Sequence, residues 1–200
     1  MPDAAQPYEL DHLTDAARAA LKRGAGRAYE SLVPDSSDAN ARAALDAVRT
    51  AGAVKQASNR EADQCVQSGL WLWHDFLDES HTISQGIETP DGSFWHGIMH
   101  RREGDFSNSK YWYRRVGQHP AYATLAAEVR ELTRDEPADK RVVALTHDGG
   151  GGGWDPYAFV DLCEAAHAAG PNDPLHAVAV AVQQAEWRVV FDHCVREARR

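Results

Sequence analysis

Apolar positions along this chain recur every three or four residues almost from end to end, the period of helices that each bury one face. Asp11 stands where it caps a helix running to about Leu21, with Gly24 or Gly26 as its stop. Residues 34–37 read as a turn. Ser36, Ser37 or Asp38 then caps an alanine-rich helix that Gly52 ends. A third helix is expected from Asn59 or Glu61 to about Gln85, with Val66, Leu70, Trp73, Leu77 and Ser84 along one side and Phe76 beside them. Pro90-Asp91-Gly92 signals a turn, and Ser93 caps a helix ending near Gly104. Asp105 or Ser107 caps the next, through Val116, with Gly117 as stop and Pro120 beyond, and residues 121–134 form another. Residues 141–146 are the one strand-like piece, too short to make a sheet alone. Asp155-Pro156 and Asp173-Pro174 each place a cap before a proline at the first helical position and open the last two helices.

The pattern predicts an all-α fold: a single-domain helical bundle, or stacked helical hairpins, of about seven helices with little or no sheet. The domain is expected over residues 11–200, after a loose leader at 1–10, with a glycine-rich loop at 148–153.

Composition narrows the function classes. The formal net charge of −9 opposes general nucleic-acid binding, which needs a basic footprint, and docking on anionic membranes. No apolar run reaches membrane-spanning length, and the acidic N-terminus lacks the apolar core of a signal peptide. Cys65, Cys163 and Cys194 are far apart and odd in number, as in a chain with reduced thiols, so a cytoplasmic protein is expected. Self-association into a homo-oligomer stays open.

Chemistry-bearing residues concentrate between Trp71 and Pro120, which hold four of the six tryptophans and five of the ten histidines. His74, Asp78 and His81 follow the spacing i, i+4, i+7 on the expected third helix, and His96, His100 and Glu103 repeat it on the next. A short turn makes the two helices antiparallel neighbours, which sets His81 opposite His96 and His100. Three imidazoles with carboxylates nearby suit Zn, Fe, Mn or Ni. The expected ligands are His81, His96 and His100. Glu103 serves as base or fourth ligand and Asp78 as ligand or orienting group. A zinc-protease helix is excluded, because Gly97 stands where that motif has glutamate. The competing reading is a solvated stripe, since these histidines lie far from the apolar positions Phe94, Trp95, Ile98 and Met99 on a helical wheel. Arg101, Tyr111, Trp112 and Arg114 are the candidates for holding a small sugar-like or anionic substrate. His147 and Asp148, beside five glycines, are a further loop candidate, and the glycines lack the Lys-Ser/Thr of a nucleotide loop.

Gly97, Gly104-Asp105-Phe106, Ser109, Tyr113 and Pro120 fall in the order of one tetratricopeptide-type helical hairpin, which residues 93–120 resemble. The resemblance implies that His96 and His100 point into helix packing. It also implies an alternative function, a non-catalytic module that binds a partner helix or peptide. The leading expectation is a metal-dependent enzyme acting on a small polar molecule, with hydrolysis, isomerisation and oxygenation all open.

Overall fold

The computed structural model describes residues 9–23, 29–134, 139–146 and 153–200. Among them stand ten α-helices: α1 (Asp15–Lys22), α2 (Arg42–Ala51), α3 (Arg60–Trp73), α4 (Leu77–Ser84), α5 (Pro90–Glu103), α6 (Phe106–Val116), α7 (Ala121–Leu132), α8 (Lys140–Ala144), α9 (Pro156–Ala169) and α10 (Pro174–Ala198). Extended pairing among these residues is limited to one antiparallel bridge between Leu13 and Val54. The fold is all-α. None of the described helices is long and apolar enough to cross a membrane.

Capping chemistry sets many of the starts. Asp105, Asp155 and Asp173 accept first-turn N–H groups of α6, α9 and α10, as the sequence predicts. α5 begins three residues before the expected Ser93, at Pro90, because Thr89 caps it and a proline at the first helical position sacrifices no hydrogen bond. Gly104, with φ +85°, closes α5 in the left-handed conformation that glycine adopts without strain.

The helix count exceeds the expected seven for two main reasons. Residues 141–146 are not strand-like: Asp139 caps the Arg141 N–H, and without a neighbouring strand the short β-branched run takes a helical turn, α8. The expected helix from 59 to 85 is two helices, broken at His74-Asp75-Phe76, with Asp75 at φ +64°. Arg102, reaching over from α5, holds the break. Its guanidinium donates to the Leu72 carbonyl (2.8 Å), the Asp75 carboxylate (2.7 Å) and the Ser31 carbonyl (3.1 Å). A fixed cation at the carbonyl end of α3 complements the helix dipole.

α5 is the central element. Every residue from Gly92 to Arg102 is buried, polar ones included. It packs between α3, α4 and α6, and α10 packs on α3, α7 and α9. Gly69 of α3 lets the backbone sit against the Trp95 ring, where a Cβ would come within 2.8 Å of it. The α5–α6 hairpin stands where the tetratricopeptide resemblance puts one: Ser109 donates to the Gly97 carbonyl (2.7 Å), and Gly97 faces the Tyr113 ring.

Candidate metal centre

The break after α3 re-aims α4 and thereby builds the site. His81 of α4 meets His96 and His100 of α5, with ring centroids 4.7 and 5.5 Å away. One ligand nitrogen from each of the three rings lies within 4.8 Å of the other two. His96 and His100 are buried and His81 is half-buried, so the stripe is not a solvated one.

The outer partners of these rings decide which nitrogen faces inward. Glu103 Oε2 accepts from His100 Nδ1 at 3.0 Å; a carboxylate only accepts, so the proton of the neutral ring sits on Nδ1. Ser84 Oγ lies 3.3 Å from His96 Nδ1 and donates to the His81 carbonyl at 3.4 Å, which leaves it free to accept from that ring. The Nε2 atoms of His96 and His100 then face each other at 3.0 Å. Two facing lone pairs repel unless a proton or a cation lies between them. Two nitrogens bound to one tetrahedral ion at about 2.1 Å stand about 3.4 Å apart, close to this spacing. Burial and the neighbouring His100 and His81 push the His96 imidazole down to about 3, so it stays neutral, the form that binds metals. Burial also lowers His100, against the opposing pull of Glu103.

The other expected residues scatter. Trp112 joins the site, its indole stacked on the His96 ring at 3.8 Å. Tyr111 is exposed, and Arg114 lies over it at 5.4 Å from the ring centroid. Asp78 is exposed on α4, and no described contact ties it to the histidines. Arg101 is placed elsewhere: it is 1 % exposed, bound to Glu186 of α10 and to the Tyr113 hydroxyl (3.1 Å). His74 caps α3 and donates from Nε2 to the Ala20 carbonyl (2.9 Å). His147, Asp148 and Gly149–Gly152 lie outside the described residues.

Three residues near the centre were not among the expected ones. Ser84 orients His96, the Asn108 amide nitrogen lies 3.1 Å from His100 Nε2, and the Arg115 guanidinium sits 5.1 Å over the Trp112 ring. Serine and asparagine carry no spacing signal for such roles. Arg115 was legible only as part of a basic–aromatic run.

A second cluster lies toward the other end of α5. Asp91 Oδ1 is 2.8 Å from His119 Nε2 and 3.1 Å from His193 Nε2, joining α5 and α10 to the residue that leads into α7. His119 Nδ1 accepts the Ala121 N–H at 3.1 Å, so the neutral ring carries its proton on Nε2 and donates it to Asp91. Burial pushes the Asp91 carboxyl up, but the hydrogen bonds and charges of His119 and His193 outweigh it and hold the group well below the ordinary carboxylate range.

No protein-family model, curated protein or solved structure matches this chain.

Proposed function

We propose that His81, His96 and His100 hold one divalent transition metal, Zn, Fe, Mn or Ni, and that the protein is a metal-dependent enzyme acting on a small polar molecule. The observation that carries this reading is the facing pair of Nε2 atoms at 3.0 Å, each ring fixed from behind by an oxygen. A proton shared between two rings would satisfy that pair alone. The third imidazole then adds only desolvation, whereas an ion uses all three. Oxygen partners on the far nitrogens, here Ser84 and Glu103, are the usual support of metal-bound histidines.

Three protein ligands leave a coordination position open, which is the arrangement of catalytic rather than structural metal sites. The half-buried His81 and the exposed Glu103 put that position within reach of solvent. A metal bound there would supply Lewis acidity or an activated water. Trp112 supplies a flat wall beside His96, and Asn108 a polar group beside His100.

Elemental analysis of protein purified without chelator tests the reading. About one equivalent of a single metal is expected, and the His96→Ala/His100→Ala double variant should carry none. Wild-type protein that takes up none of Zn, Fe, Mn or Ni on dialysis would sink it.

A further inference from the structure

Two arginines of α6 follow Trp112, the residue whose ring stacks on His96. Arg114 and Arg115 are both exposed and rest on aromatic rings, Arg114 on Tyr111 and Arg115 on Trp112. Among the described residues neither has a carboxylate partner, although the chain carries 30 acidic residues against 21 lysines and arginines. The other arginines of the central hairpin differ: Arg101 pairs with Glu186 and Arg102 with Asp75.

The neighbouring acids are committed elsewhere. Glu103 accepts from His100, and Asp161 pairs with Lys110. Asp105 caps α6, accepting from the Asn108 N–H and the Ser107 hydroxyl, both at 3.0 Å. Arg115 is therefore left with a planar fork of N–H donors. Its guanidinium lies 5.1 Å over the Trp112 ring, and the same indole stacks on His96.

Resting on the metal reading above, we infer that the substrate of this centre is a small oxyanion, its phosphoryl or carboxylate group held by the Arg115 guanidinium beside the metal. A guanidinium binds two oxygens of such a group at once, with geometry that a lysine cannot reproduce. The face of the indole beneath it attracts the guanidinium and leaves its N–H groups free to bind a ligand. Arg114, on the exposed Tyr111 instead of the ring that contacts His96, is the internal control.

The test is calorimetric titration of protein loaded with one equivalent of zinc and freed of excess metal, using inorganic phosphate and, separately, acetate. Phosphate binding alone marks a phosphoryl-bearing substrate; acetate binding as well marks a site open to carboxylates. Arg115→Gln should weaken anion binding about 10- to 100-fold at unchanged zinc content, and Arg115→Lys should restore it only in part. Arg114→Gln should bind like wild type. Zinc held with neither anion bound, or Arg115→Gln binding as tightly as wild type, overturns the assignment of Arg115 while leaving the metal centre standing. Failure to take up any of Zn, Fe, Mn or Ni removes the centre and this inference together.

Discussion

The two histidine clusters draw on the same central helix and are both largely buried, yet they are built in opposite senses. At His81/His96/His100 the oxygens of Ser84 and Glu103 stand behind the rings, and the Nε2 atoms converge on one another. At Asp91/His119/His193 the Nε2 atoms converge on a carboxylate, and the Nδ1 of His119 is taken up by a backbone N–H. The second cluster thus satisfies itself: two ring nitrogens face one carboxylate. The first has its oxygen partners outside and its Nε2 atoms turned inward, the arrangement on which the proposed metal centre rests. Proximity of ligand-type residues does not separate the two cases; the partner on the far side of each ring does.

The sharpest way to break this comparison is to count metal ions. The expected uptake is one equivalent, not two, and His96→Ala/His100→Ala should abolish it while His193→Ala leaves it intact. A second equivalent lost on substitution of Asp91 would show that the contrast in ring orientation is misread. Next in size is the structural cost at the second cluster. Asp91→Ala strands two imidazoles among three helices and should cost about 3 kcal/mol. That corresponds to a melting temperature about 6–12 °C lower for a chain of this length, with metal content unchanged.

Acidity tests the same carboxylate. The folded protein holds Asp91 below its ordinary value, so its contribution is complete above the unfolded value of about 3.9. It is lost as pH falls through the folded value. Asp91→Asn should therefore be less stable than wild type by about 2 kcal/mol at pH 6, and denaturant titrations at falling pH should show the gap closing below about pH 4. A gap independent of pH would exclude a charged Asp91 in the folded state.

Smaller effects sharpen the first cluster. Glu103→Ala should weaken metal affinity about 10- to 100-fold in a chelator competition, with little change in stability because the carboxylate is half-exposed. Asp78→Ala should alter neither metal content nor stability beyond about 0.5 kcal/mol, since it is exposed and apart from the rings.

Local chemistry made much of the architecture legible. The helical period, the aspartates before Pro156 and Pro174, the Gly104 stop and the spacing of His96 and His100 are all decided within a few residues, and the structure agrees with them. His81 was expected opposite that pair and is found there, but by a different route. The expectation placed it on one long helix with His74 and Asp78, whereas the helix breaks at Asp75 and only His81 reaches the site.

Residues 59–85 read as unbroken helix because periodicity reports which side chains are apolar, not what reaches them from elsewhere. The break is held by Arg102, 27 residues along the chain from Asp75, and the burial of Arg101 by Glu186, 85 residues away. The Asp91 cluster likewise joins positions 28 residues apart, with His193 coming from the last helix. Helix formation and capping follow from neighbours in the chain, because their hydrogen bonds close within one turn. Which nitrogen of a histidine faces its neighbours, and which arginine is left without a carboxylate among the described residues, follow from neighbours in space. The packing of α4, α5, α6 and α10 alone supplies these.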